Sequence, residues 1–102
     1  MDNKVALSGF IGLLFKGDKL LIGKELQNHM DKVALFVMAI DASSNESERL
    51  KKKILRAHRP FLTASLTKEE MGEALGRDEV TFIGITDKKA AFAFIEKTNK
   101  KI

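Results

Sequence analysis

The sequence contains no cysteine, no tryptophan and no tyrosine, and it has a single proline. The absence of cysteine excludes disulfide bonds, thiolate metal ligands and a cysteine nucleophile, and it favours a cytoplasmic location. The absence of tryptophan and tyrosine disfavours binding of single-stranded nucleic acid, because such binding stacks bases on aromatic side chains. The apolar runs fall well short of the roughly 20 residues that span a bilayer, so we expect no membrane association.

Sequence signatures of enzymes are also missing. The chain has no glycine-rich phosphate-binding loop and no Gly-x-Ser-x-Gly motif. We interpret His29 and His58 as surface or helix-end residues, because they lie in different predicted helices and neither has a neighbouring His or Cys at a metal-ligand spacing. Asp41 follows a predicted strand, where α/β folds place functional groups. We interpret it as a turn or capping residue, with a Mg²⁺-dependent phosphate acceptor as the alternative. We therefore expect no catalytic activity, no metal and no cofactor.

The composition is that of a small globular domain with a basic balance. The chain has 102 residues, of which 44% are hydrophobic and 31% are charged, and its formal net charge is +4. This length predicts one domain over 1–102, ending in a polar basic tail at 98–102. A mildly basic charge is compatible with a phosphate-containing partner but does not by itself indicate one.

The hydrophobic pattern predicts that helices and strands alternate along the chain. Helices are predicted at 4–16, 24–31, 43–57 and 67–76 and from 87 onward, and strands at 20–22, 33–40, 61–65 and 80–86. Predicted caps begin three of the helices, at Ser43, Thr67 and Asp87, and Gly76 is a predicted helix end. Two glycines within the first helix, Gly9 and Gly12, indicate close packing against another backbone. The alternation predicts a three-layer α/β/α domain.

Basic residues concentrate between Arg49 and Arg59, with no carboxylate among them. The interpretation we favour is the solvated face of a helix whose buried face consists of Leu50, Ile54 and Leu55. The alternative is a stripe that contacts phosphates.

Four segments of the chain resemble the kink-turn RNA-binding ribosomal protein superfamily, in particular its small bacterial members. They are GLLFKGDKLLIGKEL (12–26), AIDASSN (39–45), LTKEEMGEALGR (66–77) and IGITD (83–87). The resemblance covers roughly residues 5–96. It implies an α/β/α sandwich around a mixed four-stranded sheet that binds structured RNA, either kink-turn or ribosomal RNA. Separately, we expect a monomer.

The resemblance also implies where the RNA is contacted. The helix start after the first short strand is inserted into the RNA through Gly23, Lys24, Glu25 and Asn28, with Lys16 and Lys19 beside the RNA backbone. A second contact is implied for the loop 77–80, where Arg77 offsets the loop's negative charge and Val80 stacks on an unpaired base. We therefore expect the two segments to lie side by side at one end of the sheet.

Two other functions remain open at the level of sequence. The short second helix and the acidic residues Asp78 and Glu79 would suit a protein-interaction module that no longer recognises RNA. A phosphotransfer domain using Asp41 is the third possibility.

Overall fold

The structure, a computed structural model, describes residues 4–42 and 45–98. Its helices are α1 (Lys4–Lys16), α2 (Gly23–Asn28), α3 (Asn45–Arg56), α4 (Lys68–Leu75) and α5 (Lys88–Thr98), with a 3₁₀ turn at Met30–Lys32. Its strands are β1 (Leu20–Leu21), β2 (Leu35–Met38), β3 (Phe61–Thr63) and β4 (Phe82–Ile85). No helix in the described ranges is both long and apolar enough to cross a membrane.

The four strands form one mixed sheet in the order β1-β4-β2-β3. β4 is antiparallel to both of its neighbours, whereas β2 and β3 are parallel. Phe36 of β2 lies opposite Gly84 of β4, and Leu20 of β1 lies opposite Ile85. Because β4 runs against the other strands, the chain enters β4 at the same end of the sheet at which it leaves β1 and β2.

Helices cover both faces of the sheet and form two cores. On one face, α1, α4 and α5 pack against alternate residues of β2 and β4; the fully buried side chains there include Leu7, Ile11, Met71, Phe94, Val37 and Ile83. On the other face, α2 and α3 bury Leu26 and Ile54 with Phe36 and Phe82. Side chains that alternate between two cores are expected of strands covered on both sides. The protein is thus an α/β/α sandwich around a mixed four-stranded sheet, as the sequence predicted.

The fourth helix begins and ends at the predicted residues. The Thr67 hydroxyl accepts a hydrogen bond from the Glu70 N–H at 3.1 Å, and the Glu70 carboxylate accepts one from the Thr67 N–H at 2.9 Å. This hydrogen bond from Thr67, followed by the ion pair with Lys4 at 3.3 Å, lowers the pKa of the Glu70 carboxyl. Gly76 ends α4 with a left-handed φ of 72°, which glycine adopts without steric cost.

The other predicted boundaries are only partly confirmed. Asp87 caps α5, since its carboxylate accepts a hydrogen bond from the Ala90 N–H at 2.9 Å. The cap predicted at Ser43 lies outside the described residues, as does the tail beyond Thr98. The helix predicted at 24–31 begins one residue earlier and is divided at His29 into α2 and the 3₁₀ turn. Each strand is shorter than predicted, because flanking residues continue into hydrogen-bonded loops.

Two predictions about packing are wrong. Close packing was predicted at Gly9, but a Cβ there would have no neighbouring atom within 4 Å. The same prediction is confirmed at Gly12, where a Cβ would lie 3.3 Å from the carbonyl oxygen of Ala74 in α4. Leu55 was predicted to lie on the buried face of its helix, but it is 54% exposed. It lies about 100° around the helix from the buried Ile54.

Candidate nucleic-acid interface

The two segments expected to contact RNA lie at the same end of the sheet. Gly23 follows β1 after one intervening residue, and Val80 precedes β4 by a similarly short connection. Because β1 and β4 are antiparallel neighbours, the end of the first strand adjoins the start of the other. The strand order therefore brings together two parts of the chain that are far apart in sequence.

The start of α2 is an abrupt turn from strand to helix. Ile22 is extended, with φ −141° and ψ 160°, and no side chain caps the helix. Gly23 then has a φ of +62°, a left-handed conformation that explains why a glycine stands at the start of this helix. The helix turns its Lys24, Glu25 and Gln27 side chains outward, all of which are exposed.

The position of α2 on the sheet depends on Gly84, in the centre of β4. A Cβ at this residue would overlap the side-chain carbon Cδ1 of Leu26 and would lie 2.9 Å from Cγ2 of Val33. The missing side chain lets Leu26 lie directly on the strand, where it is 1% exposed. This close approach fixes the six-residue helix to the sheet, which its few internal hydrogen bonds alone would not do.

The loop before β4 folds back along α4. The Arg77 N–H donates to the Gly72 carbonyl at 2.8 Å, and the Val80 N–H donates to the Lys68 carbonyl at 3.1 Å. A Cβ at Gly72 would lie only 2.6 Å from the carbonyl oxygen of Asp78, so this glycine allows the loop to pass over the helix. The loop is therefore attached to α4 along its length.

A cleft of about 550 Å³ is lined by residues of α2, α3 and the loop before β4, and we call it the α2–α3 cleft. Its base is formed by side chains that also belong to the cores, among them Leu26, Val80 and Phe82, while the charged side chains lie at its sides. Its charged lining comes from Lys24, Glu25, Arg77 and Glu79 of α2 and the loop and from Glu46, Arg49 and Lys53 of α3.

Charges of both signs line the α2–α3 cleft. Its basic side chains are Lys24, Arg49, Lys53 and Arg77, and its acidic ones are Glu25, Glu46 and Glu79. Four cations and three anions leave one net positive charge. Within residues 4–42 and 45–98, none of these seven groups forms an ion pair within 4.0 Å. The cations are therefore able to bind an anionic ligand without first breaking a salt bridge.

The structure brings together five of the eight predicted contact residues. Gly23, Lys24, Glu25, Arg77 and Val80 line the α2–α3 cleft. RNA contact by these residues stays a prediction. The stacking role of Val80 needs correction, because its side chain is 8% exposed and belongs to the core beneath α1 and α4. It forms part of the cleft's base and offers no free face to a base.

The other three predicted residues do not line the cleft. The carbonyl of Lys19 accepts a hydrogen bond from the Thr86 N–H at 3.0 Å, which places Lys19 at the opposite end of β4. Lys16 ends α1 and precedes Lys19 by one short turn. Asn28 is the last residue of α2, away from its cleft-lining start.

Sequence reasoning did not place Arg49 and Lys53 beside the other contact residues. It did identify the basic stretch that contains them and left open a role in phosphate contact. Their position depends on how α3 rotates against the sheet. In the structure this rotation buries Ser47, which is seven residues before Ile54 and is 4% exposed; a polar residue gives no sequence signal for such burial.

The interpretation of Asp41 as a capping residue is confirmed. Its carboxylate accepts a hydrogen bond from the Lys68 N–H, the first of α4, at 2.8 Å. The described parts of the chain contain no group of three or more His, Asp or Glu side chains placed to hold a metal ion. His29 and His58 are both exposed and follow the ends of α2 and α3, as predicted.

Comparison with known proteins identifies the fold. No protein-family model and no curated protein matches the chain. A solved structure described as a protein with unknown function from Bacillus halodurans C superimposes on it with a TM-score of 0.75. The two sequences are 22% identical, and the match covers 92% of this chain and 97% of the other. The likeness is one of fold.

Proposed function

We propose that the protein binds folded RNA through the α2–α3 cleft. The observation that carries this proposal is the meeting of Gly23–Glu25 with the loop 77–80 on one charged surface with unpaired cations. Lysine and arginine side chains that neutralise phosphates supply most of the affinity for nucleic acid. The sequence resemblance to kink-turn-binding proteins supports the same end of the sheet as the contact surface.

The mixture of charges in the cleft is suited to reading a folded RNA. Lys24 and Arg77 would contact phosphates, and Glu25 would accept hydrogen bonds from exposed amino groups of bases. Because the apolar base of the cleft is buried, recognition would depend on shape and polar contacts and not on stacking of single-stranded bases. The proposed activity is binding alone, without catalysis, metal or cofactor.

The finer part of the proposal concerns the type of RNA. We infer a kink-turn or a similarly bent element in ribosomal or other structured RNA, bound by a monomer in the cytoplasm. The support is the order and spacing of the four sequence segments given above. The position of Gly23 and the loop 77–80 at the same end of the sheet supports it as well.

The test compares a kink-turn RNA with a plain duplex of equal length by fluorescence anisotropy at several salt concentrations. We expect the kink-turn RNA to bind more tightly, with an affinity that falls as salt rises. The double variant Lys24→Gln and Arg77→Gln should reduce the magnitude of the salt slope by about 2, one for each lost phosphate contact.

The matched control changes Lys88 and Lys89 to glutamine, because both are exposed at the start of α5, at the opposite end of β4. These variants lose the same charge and should retain the salt slope. Failure of the unmodified protein to bind either RNA would refute the proposal, and equal affinity for the duplex would refute the kink-turn part.

A protein-interaction module is the second candidate, and one observation favours it. Val5 and Leu13 on α1 are 80% and 67% exposed, with the exposed Gly9 between them on the same flank. Apolar side chains grouped on one helix face often mark a contact with another protein. The unmodified protein should then capture a protein partner from nuclease-treated lysate, and a Leu13→Asp variant should not. If nuclease treatment abolishes capture of the partner, the result would favour RNA binding.

A further inference from the structure

The third helix is amphipathic, and its orientation is fixed by two buried residues. Ser47 and Ile54 are 4% and 0% exposed, and their spacing of seven places both on the face that packs on the sheet. The remaining circumference carries the basic residues. The flank toward α2 consists of Glu46, Arg49 and Lys53, which all line the α2–α3 cleft.

Arg49 and Lys53 are arranged as successive positions along the cleft. They are four residues apart on α3, so they lie on the same flank with a rise of about 6 Å between them. This spacing allows the two cations to contact neighbouring anionic groups of an extended ligand. Neither forms an ion pair within the described part of the chain.

The residues of the proposed RNA contact line the same cleft. Lys24 comes from α2 and Arg77 from the loop before β4, so cations from three segments of the chain line one space. Like charges that line a cleft raise the local concentration of an anion between them. Glu46 is the acidic residue on the α3 flank, and it lies in the helix's first turn, where the helix dipole stabilises a carboxylate.

We propose that α3 forms the second side of the RNA-binding surface, with Arg49 and Lys53 contacting successive phosphates of the RNA strand that lies in the cleft. This inference rests on the proposed function and extends it. In this arrangement α3 contacts the RNA backbone from one direction, and α2 together with the loop before β4 contacts it from another. Lys52 and Arg56 are exposed outside the cleft, and the Lys51 ammonium lies 6.0 Å from the centre of the Phe61 ring, so these three residues contact no phosphate in this arrangement.

Two adjacent lysines supply a matched test. Lys53 lines the cleft, whereas Lys52 is exposed on the same helix and does not line it. Lys53→Gln and Lys52→Gln remove the same charge from the same helix, and both replace exposed side chains, so neither is expected to unfold the protein. Affinity for the RNA that the unmodified protein binds is measured for both variants from 0.05 to about 1 M salt, a range over which phosphate contacts are lost.

We expect Lys53→Gln to weaken binding about eightfold near 0.1 M salt, with a salt slope smaller by about 1 and little difference near 1 M. Arg49→Gln should behave in the same way. In the double variant Arg49→Gln and Lys53→Gln, the magnitude of the salt slope should fall by about 2. Lys52→Gln should leave the slope unchanged.

The outcomes separate this inference from the function on which it rests. Equal losses for Lys53→Gln and Lys52→Gln, or no loss for either, would overturn the role of α3 while leaving RNA binding at the α2 side intact. If the unmodified protein binds no RNA, both the proposed function and this inference are wrong. Circular dichroism of each variant confirms that the compared chains are folded.

Discussion

At the scale of single residues, the backbone of Lys68 joins three parts of the molecule. Its N–H donates to the Asp41 carboxylate at 2.8 Å, and its carbonyl accepts from the Val80 N–H at 3.1 Å. Asp41 follows β2, and Val80 precedes β4 at the base of the α2–α3 cleft. The carboxylate also lies at the positive end of the α4 dipole. One residue thus connects the end of a central strand, a helix start and the cleft.

We predict that Asp41→Ala lowers the free energy of unfolding by about 1 kcal/mol, which is typical for loss of a helix cap. Asp41→Asn should cost less, because asparagine also accepts the hydrogen bond. Urea denaturation measures both changes. The control is Asp78→Ala, since Asp78 is exposed and its carboxylate caps no helix; its effect should stay within about 0.5 kcal/mol. Equal effects of the two alanine variants would contradict the capping role.

At the scale of elements, two glycines determine how neighbouring segments approach. Gly72 lets the loop 77–80 pass over α4, and Gly84 lets α2 lie on β4. In both cases the space that a Cβ would need is already filled by another segment. Packed interiors of proteins have little room for additional atoms, so these residues control the positions of α2 and of the loop beside the cleft.

A pair of glycine variants tests this role. We predict that Gly72→Ala lowers the free energy of unfolding by about 1–3 kcal/mol, because the added Cβ collides with backbone oxygens that cannot move away alone. Gly9→Ala, also within a helix but without a neighbour within 4 Å, should instead raise it by up to about 1 kcal/mol. Thermal or urea unfolding of the two variants gives the comparison, and a stabilised Gly72→Ala protein would contradict the prediction.

The predictable features of these elements are local ones. The caps at Thr67, Gly76 and Asp87 depend on hydrogen bonds within one turn of the helix, so the sequence around them contains the needed information. The roles of Gly72 and Gly84 depend on segments that are brought to them only by the fold. Gly9 and Gly12 show the same limit, because nothing in their local sequence distinguishes the exposed glycine from the packed one.

The candidate site was predictable to a similar extent. The family resemblance implied that Gly23 and the loop 77–80 lie side by side, whereas the strand order that brings them together is known only from the structure. The sequence placed Val80 both in the contact loop 77–80 and at the start of a predicted strand, and only the structure shows that its side chain is buried. The contribution of Arg49 depends on the rotation of α3, and the pattern had assigned Leu55 to the wrong face.

At the scale of the whole molecule, stability is concentrated in the middle of the sheet. β2 and β4 are neighbours, both lie between two other strands, and all of their residues are buried. β1 is an edge strand of two residues, and α2 has six. Elements with few internal hydrogen bonds open at a lower free energy than buried central strands.

Native-state hydrogen exchange should show this gradient. We predict that the amides of β2 and β4 exchange at least about tenfold more slowly than those of α2, because only global unfolding exposes them. Nuclear magnetic resonance at low denaturant concentrations resolves the individual amides. Uniform exchange rates across these elements would mean that α2 opens only with the rest of the protein.

The attachment of the loop 77–80 to α4, at Gly72 and at Lys68, has a kinetic consequence. A surface whose loop is already held by the scaffold does not have to order that loop when a ligand arrives. Encounter of the charged partners should then limit the association rate, and partners that fit the cleft to different degrees should differ mainly in how long they stay bound.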